Sequence, residues 1–262
     1  MKPTILLLSG TSEGRELAAA LLDTGFHVIA TVTQETASER LFGPLRSRLR
    51  VLIGGFTESA LYDFLDSGQA DIVVDATHPF AARITCIAQR VCQRLRVPLV
   101  RFERPAWTPP DDVQLVDDFV EAARLLPELS ERAMLTIGAR QLKHFSGLHK
   151  KVTMFARILP SPLSLAQAIQ AGFPLQNICC LQPPFSRDFN LAMFQHYRVD
   201  TVVAKESGQE GGTPAKVEAA LKLGINAVVI RRPAITVENT QSTIGGVVAA
   251  CLACKNATTS LP

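Results

Sequence analysis

The fold is decided by residues 4–15, which read Thr4-Ile5-Leu6-Leu7-Leu8-Ser9-Gly10-Thr11-Ser12-Glu13-Gly14-Arg15. Residues 5–8 form an aliphatic run that is too short for a helix, which predicts a strand buried on both faces, as in a parallel sheet. Strong helix formers follow over residues 16–22, and Gly25 stands where that helix is expected to end. A strand, a glycine-bearing turn and a helix in this order present backbone N–H groups and the positive end of the helix dipole to an anion.

The glycines of this turn leave two interpretations open. Gly10 and Gly14 give the spacing G-x-x-x-G, whereas the dinucleotide fingerprint is G-x-G-x-x-G. The turn is therefore either a tight structural turn or a pyrophosphate loop that lacks one close-approach glycine. In the second case we expect Gly10, Thr11, Ser12, Glu13 and Gly14 to bind the cofactor.

Composition narrows the class of protein. In 262 residues, 47% are hydrophobic and 19% are charged, which is typical of an ordered globular chain. The net charge of +3 does not favour a nucleic-acid partner, and no apolar run reaches the ~20 residues of a membrane span. The first strand follows the initiator methionine almost directly, so we expect no signal peptide and a cytoplasmic protein. The six cysteines, including Cys251 and Cys254 in C-x-x-C spacing, are expected to pack as reduced thiols, and no metal site is predicted.

The second predicted strand, residues 27–33, ends where NAD enzymes carry an acidic residue for the ribose. Thr33 occupies that point, and Ser38 and Arg40 follow it, which favours a 2′-phosphate and hence NADP(H). Glu35 is close enough to leave NAD(H) open. A short third strand, residues 50–53, ends at two glycines, and Gly55 could lie against a bound adenosine.

Residues 71–80 read Asp71-Ile72-Val73-Val74-Asp75-Ala76-Thr77-His78-Pro79-Phe80 and predict a buried strand with polar residues at its carboxyl end. Ligands of open α/β sheets bind at that end of the strands, so we expect Asp75, Ala76, Thr77 and His78 at the same edge as Gly10. The alternative is structural: Asp75 or Thr77 caps the following helix and His78 packs on it.

Three prolines and the single tryptophan in residues 102–112 predict a boundary between an N-terminal domain, residues 1–104, and a C-terminal domain, residues 105–262. The second half again alternates strands and helices, and polar residues follow the strands. These residues are Gly138, Arg140, Gln182, Lys205 and Glu206. Residues 205–216 contain two glycines, a Thr213 cap and Pro214, which predicts either a second anion site or a flexible, well-capped loop.

Four blocks of the sequence resemble the signature blocks of the precorrin-6A reductase family. They are Gly10-Thr11-Ser12-Glu13-Gly14-Arg15, Asp75-Ala76-Thr77-His78-Pro79-Phe80-Ala81, Arg101-Phe102-Glu103-Arg104-Pro105, and Lys205-Glu206-Ser207-Gly208 with Gly211-Gly212 and Lys216. The resemblance runs in order from Gly10 to Pro233. One departure is visible, because this chain has Gln182-Pro183-Pro184-Phe185 where the family tends to have Gln-Gly-Pro-Phe.

The resemblance implies an α/β fold of two Rossmann-like domains with mainly parallel sheets and a cleft between them. The N-terminal domain would bind the dinucleotide and the C-terminal domain the substrate. The implied activity is NADPH-dependent reduction of precorrin-6A or cobalt-precorrin-6A to the 6B form in cobalamin biosynthesis, by an NADP-dependent oxidoreductase that acts on a CH–CH bond of the macrocycle. Candidate substrate-binding residues are Arg140, Lys143, Gln182, Lys205, Ser207, Gly211, Gly212 and Lys216, because cations at helix starts suit carboxylates.

Hydride transfer to the macrocycle also requires a proton, and the catalytic candidates are His78, Asp75 and Glu206, with solvent as a further source. His78 is favoured because an ordinary histidine titrates near neutrality. Two other classes stay open: a non-catalytic two-lobe nucleotide-binding protein and a nucleotide-sugar transferase. The expected partner is a small tetrapyrrole, without nucleic acid or membrane, and a monomer is favoured over an oligomer.

Overall fold

A computed structural model describes residues 2–259 of the chain, which divides into two compact units. The first unit is Met1–Pro105 together with Ala234–Pro262, and the second unit is Ala106–Pro233. Within the described range each unit has one six-stranded sheet in which the paired strands are parallel. The predicted α/β fold with parallel sheets is therefore confirmed.

The strands are β1 (Thr4–Leu8), β2 (His27–Val32), β3 (Arg50–Ile53), β4 (Ile72–Asp75), β5 (Leu99–Phe102), β6 (Val113–Val116), β7 (Arg132–Leu135), β8 (Thr153–Ile158), β9 (Ile178–Cys180), β10 (Thr201–Lys205), β11 (Asn226–Ile230) and β12 (Thr240–Gln241). The α-helices are α1 (Ser12–Asp23), α2 (Glu35–Phe42), α3 (Glu58–Asp66), α4 (Ala82–Leu95), α5 (Phe119–Leu129), α6 (Pro162–Gln170), α7 (Arg187–His196), α8 (Thr213–Leu223) and α9 (Ile244–Thr259). Short 3₁₀ helices lie at Gly43–Leu45, Ala139–Leu148 and Leu175–Asn177.

The two sheets share the same order of five strands and differ in the edge strand, since β12 comes last along the chain in its unit and β6 comes first in the other. The first sheet runs β12-β5-β4-β1-β2-β3, and the second runs β6-β11-β10-β7-β8-β9, so β7 and β10 stand where β1 and β4 stand. In such sheets the order reverses between these central strands, and ligands bind at the carboxyl ends beside the reversal. Candidate sites are therefore the ends of β1 and β4 in the first unit and the ends of β7 and β10 in the second.

The aliphatic run of β1 forms the centre of the first unit. Its residues Ile5, Leu6, Leu7 and Leu8 are at most 1% exposed, because helices cover both faces of the sheet. Burial of four such side chains stabilises the unit by roughly 1.5–3 kcal/mol each. This central strand holds the following turn in a fixed place.

The C-terminal segment corrects the predicted domain boundary. Residues 105–262 were expected to form one domain, and Pro105 does end the first part of the first unit, but Ala234–Pro262 belongs to that unit as well. The reason is pairing and packing, because β12 pairs with β5 and α9 buries Val247 and Cys251 in the core that contains β1.

Two further local differences concern element boundaries. The sequence predicts a C-terminal helix over residues 240–254, but the helix begins at Ile244, since Thr240 and Gln241 form β12 instead. Residues 35–42, for which no element was predicted, form α2. Within residues 2–259, no helix has the length and hydropathy needed to cross a bilayer.

Candidate functional site

The turn between β1 and α1 combines an open glycine with a tightly enclosed one. Gly10 is exposed, and a methyl group placed there would meet no other atom within 4 Å. At Gly14 the same methyl carbon would lie 2.0 Å from Ser9 Oγ, so only glycine allows α1 to pack on the end of β1. The fingerprint glycines serve these two purposes, close ligand approach and helix–strand packing. The Ser9 hydroxyl is buried and makes no hydrogen bond within residues 2–259.

Thr11 precedes the first residue of α1 but does not cap it. Its side chain donates a hydrogen bond to the Ala76 carbonyl, with 3.4 Å between the oxygens, and makes no bond to the helix amides. The contact joins the end of β1 to the end of β4, which are neighbouring strands. Thr11, Ala76 and the glycine turn are therefore brought together, as the sequence predicted.

Glu13 is buried in the first turn of α1 and forms an ion pair with Arg104. Ser12 Oγ donates to its second carboxylate oxygen at 3.0 Å. Burial alone would raise the pKa of the Glu13 carboxyl, but hydrogen bonds from Arg104, from its own backbone amide and from Ser12 lower the pKa below 4.5. Glu13 is thus ionised at neutral pH and holds a guanidinium beside the start of α1.

Asp75 ends β4 inside a buried network. One carboxylate oxygen accepts hydrogen bonds from the Thr77 amide at 3.0 Å and the Thr77 hydroxyl at 2.7 Å. The other oxygen lies 2.8 Å from Arg101 Nη1, which also donates to the hydroxyls of Thr77 and Thr85 at 3.2 Å each. The alternative of helix capping is wrong, because Ala81 occupies the position before α4 and neither Asp75 nor Thr77 bonds to that helix.

His78 follows this network as a half-buried residue. Its Nδ1 accepts a hydrogen bond from the Phe80 amide at 3.2 Å. Because Nδ1 is an acceptor, the neutral ring carries its proton on Nε2. The loop therefore fixes both the tautomer and the ring position of His78.

The residues expected to receive a 2′-phosphate are only partly brought to the surface. Thr33 and Arg40 are exposed, but Ser38 is completely buried and its hydroxyl accepts a hydrogen bond from Arg46 Nη2 at 2.9 Å. The prediction that Ser38 presents its hydroxyl to a ligand is wrong for this reason. Arg46 was not identified from the sequence, and it also pairs with Glu39 at 2.9 Å. Gly55 is exposed with open space around it.

In the second unit, a compact turn follows β10. The Thr213 hydroxyl accepts a hydrogen bond from the Ser207 amide at 3.0 Å and donates to the Lys205 carbonyl at 2.7 Å. Gly211 is required here, because a side-chain carbon would lie 2.0 Å from Ser207 Oγ. The predicted Thr213 cap is corrected by this geometry, since Gly212 takes the cap position in a left-handed conformation (φ 68°) and the Thr213 hydroxyl closes the turn.

Two lysines flank this turn. Lys205 is the last residue of β10, and Lys216 lies near the start of α8. Lys216 is 8% exposed, and its Nζ donates to the Gly211 carbonyl at 3.1 Å. Burial lowers the pKa of Lys216 to about 7, and the cations Arg157 and Lys205 act in the same direction. Burial also lowers the pKa of Lys205 to about 8, assisted by Arg140. The charges of these four cations thus interact around the ends of β7, β8 and β10.

Of the other residues predicted for the second unit, one is largely buried in an ion pair and three are exposed. Glu206 forms a largely buried ion pair with Arg232, with contacts of 2.8 and 2.9 Å to one carboxylate oxygen. Arg140, Lys143 and Gln182 are exposed. Within residues 2–259 no group of three or more His, Cys, Asp and Glu side chains is arranged to hold a metal ion.

Comparison with known proteins gives the family. The model of the family described as "Precorrin-6x reductase CbiJ/CobK" matches residues 4–252, which include the elements of both units. The chain belongs to the precorrin-6x reductase family. It is 37% identical over 233 residues to a cobalt-precorrin-6A reductase of Synechocystis, covering 88% of each chain, and 35% identical over 249 residues to one of Priestia megaterium, covering 93% of this chain and 96% of the relative. A solved structure of a CobK precorrin-6A reductase aligns over 97% of both chains with a TM-score of 0.79 and 30% identity.

Two buried arginines in this member of the family were not identified as site residues from the sequence. Arg101 is 3% exposed and holds the Asp75 loop, and Arg157 of β8 is 6% exposed near Lys216. Arg101 belongs to one of the signature blocks, but a strand pattern does not reveal which neighbour a side chain meets. Arg157 lies inside an ordinary strand pattern, so no sequence signal marked it.

Proposed function

We propose that this chain catalyses the NADPH-dependent reduction of precorrin-6A, or of its cobalt form, in cobalamin biosynthesis. The observation that carries the proposal is the family match over residues 4–252, which spans both units and the turns where ligands of such sheets bind. The high coverage of the two reductases by this chain supports an activity of the whole protein. The proposed enzyme is an oxidoreductase that acts on a CH–CH bond.

The first unit has features that fit NADPH. Gly10 leaves the backbone open, Thr11 leaves the start of α1 uncapped, and Arg104 supplies a cation beside it. The buried Ser9 hydroxyl, which makes no hydrogen bond within the described residues, is a polar atom that such a ligand or its water could satisfy. When bound, NADPH supplies the hydride. The residues proposed to hold it are Gly10, Thr11, Ser12, Gly14, Gly55, Ala76, Thr77 and Arg104, with Glu13 orienting Arg104.

A preference for NADPH over NADH is proposed from the end of β2. Thr33 and Arg40 are exposed there, and no acidic residue occupies the position of Thr33. Ser38 would act indirectly by positioning Arg46, because its hydroxyl accepts a hydrogen bond from the Arg46 guanidinium. Arg40 and Arg46 are the proposed partners of a 2′-phosphate, because guanidinium groups suit phosphate.

The second unit is proposed to bind the substrate. Precorrins carry several carboxylates, and charge-assisted hydrogen bonds from Lys and Arg hold such groups. The proposed partners are Arg140, Lys143, Lys205 and Lys216, with Gln182, Ser207, Gly211 and Gly212 forming the surrounding turns. Lys205 and Lys216 contribute most because they are the least exposed of these cations.

For the proton, the geometry favours His78 among the three candidates. Asp75 and Glu206 are each engaged in an ion pair with an arginine, so a positioning role suits them better than proton transfer. His78 can donate a proton once Nδ1 is itself protonated, which gives the imidazolium and replaces the hydrogen bond that Nδ1 accepts from the Phe80 amide. We therefore propose His78 as the general acid.

The test is oxidation of NADPH under anaerobic conditions with precorrin-6A and with cobalt-precorrin-6A. We expect one equivalent of NADPH to be consumed per tetrapyrrole, with a product at the mass of the two-electron-reduced macrocycle. Binding of NADPH without oxidation by either tetrapyrrole would reject the proposal. We further propose that the protein works in the cytoplasm, where its cysteines would stay reduced. Fractionation of the source cells tests this location.

A further inference from the structure

Two cations of the second unit are buried without an anionic partner. Arg157 donates to Asn190 Oδ1 at 2.7 Å and to Met193 Sδ at 3.7 Å, and its guanidinium lies 4.4 Å from the centre of the Phe185 ring. Lys216 Nζ donates to a backbone carbonyl. None of these partners is charged, although the two side chains are only 6% and 8% exposed.

The surroundings of Lys216 are positively charged. The charges of Arg157 on β8 and Lys205 on β10 both lower the pKa of Lys216. Strand β11 also packs against α8, and it has no charged residue. On α7, Arg187 and Asp188 pair with each other at the surface, and His196 packs against Tyr197. Within residues 2–259 no carboxylate forms an ion pair with Arg157 or Lys216, and the hydrogen bonds of both side chains go to neutral groups.

Burial of a cation without a counter-ion is costly, and proteins relieve the cost by binding an anion or by losing the proton. Arginine stays protonated at neutral pH, so Arg157 cannot use the second route. Lys216 can. Its pKa of about 7, lowered first by burial, means that much of Lys216 is neutral above that pH.

We infer that Arg157, Lys205 and Lys216 form one buried carboxylate-binding site and that Lys216 takes up a proton when a carboxylate enters it. The inference rests on the proposed function, because the carboxylate is taken to be one of the tetrapyrrole side chains. An anion beside Lys216 offsets the charges of its two neighbours and favours the ammonium form. Substrate binding and protonation of Lys216 are thereby linked.

The experiment is calorimetric titration of the full chain with precorrin-6A at pH 8, without cofactor, in two buffers of different ionisation enthalpy. With pKa values of about 7 and about 8, Lys216 would take up about 0.9 proton per ligand and Lys205 about 0.5. Lys216→Arg keeps the charge but does not titrate, so proton uptake should fall by about 0.9. Lys222→Arg, an exposed position on the same helix, should leave the uptake unchanged.

Affinity tests the site itself. Lys216→Met and Arg157→Met should each weaken tetrapyrrole binding by roughly 10- to 100-fold. Equal proton uptake by wild type and Lys216→Arg, or wild-type affinity in both methionine variants, would overturn the inference. If the variants do not fold, the wild-type protein still tests the linkage. With both lysines taking up protons, its affinity should fall by roughly 10- to 100-fold per pH unit above pH 8, and a flat profile would contradict the inference.

The same mixtures, with NADPH added afterwards, report the proposed function separately. Proton-linked binding without NADPH oxidation would keep this site and reject the reductase assignment. Oxidation of NADPH with pH-independent tetrapyrrole binding would keep the reductase assignment and reject the site.

Discussion

Arg101 lies 2.8 Å from Asp75, and the two side chains are 3% and 0% exposed. They are register partners on the neighbouring strands β4 and β5, so the ion pair crosses the sheet at its carboxyl end. Thr77 bonds to both residues, which fixes the backbone that leads to His78. The pair therefore joins the core of the first unit to the candidate proton donor.

We predict that Arg101→Met and Asp75→Asn each lower the free energy of unfolding by about 3–5 kcal/mol, because each leaves a buried group without its partner. The variant with both substitutions should lose less than the sum, and denaturant unfolding of the four proteins measures the coupling. Strictly additive losses would contradict a buried pair. Arg90→Met, which breaks an exposed pair with Glu58, is the control and should change stability little.

The same pair shows what the sequence could and could not predict. The position of Asp75 at the end of a buried strand was predictable from the aliphatic run before it. Its partner was not, because the register between β4 and β5 is set by the packed sheet and leaves no local pattern. Asp75 was thus predicted as a catalytic candidate, whereas its contacts favour a positioning role.

The C-terminal segment gives a second example. A helix near residues 240–254 was predictable from apolar spacing, but a two-residue strand such as β12 is too short to produce a pattern. Its pairing with β5 is a long-range contact, and that pairing places α9 on the first unit. Arg157 was missed for a different reason. A charged residue in a strand pattern is ordinarily expected at the surface, whereas Arg157 is buried.

The two glycines of the β1–α1 turn offer a matched pair of substitutions. Gly14→Ala should destabilise the protein by about 1–3 kcal/mol, because its methyl carbon would overlap Ser9 Oγ. Gly10→Ala has open space and should leave the unfolding free energy almost unchanged, yet weaken NADPH binding by hindering close approach to the backbone. Thermal unfolding and cofactor titration of both variants measure these effects. Tight NADPH binding by Gly10→Ala would remove the turn from the cofactor site.

Glu13 should make stability depend on pH in the acid range. Because its folded-state pKa lies below the ordinary value of 4.5, the ionised carboxylate favours the folded protein above that pH, and this stabilisation is lost as the pH falls through the folded value. Glu13→Gln should therefore be less stable than wild type by about 1.5–3 kcal/mol at pH 7, with a difference that narrows below pH 4.5. Glu16→Gln, exposed on the same helix, is the control. A difference that stays constant down to pH 3 would contradict the ion pair with Arg104.

Cofactor preference should depend on the arginines near the end of β2. We expect wild type to bind NADPH more tightly than NADH, and Arg46→Ala and Arg40→Ala to weaken NADPH binding by roughly 10- to 100-fold if each contacts the 2′-phosphate. NADH affinity should change little in either variant. Fluorescence titration of the three proteins with both cofactors measures the six dissociation constants. Equal affinity of wild type for NADPH and NADH would reject the preference, and an unchanged variant would remove that arginine from it.

His78 decides the source of the proton. If it is the general acid, His78→Asn should slow single-turnover NADPH oxidation by at least ~100-fold and abolish a limb of the pH profile near the ordinary histidine pKa of ~6–7. The turn between β1 and α1 is untouched, so NADPH affinity should stay near wild type. The asparagine side-chain oxygen can still accept a hydrogen bond from the Phe80 amide, which preserves the loop. The variant therefore removes the titrating group without changing the backbone around it. His27→Asn, an exposed histidine at the start of β2, is the matched control and should react at the wild-type rate. A wild-type rate and pH profile in His78→Asn would assign the proton to solvent, with the protein contributing binding and orientation.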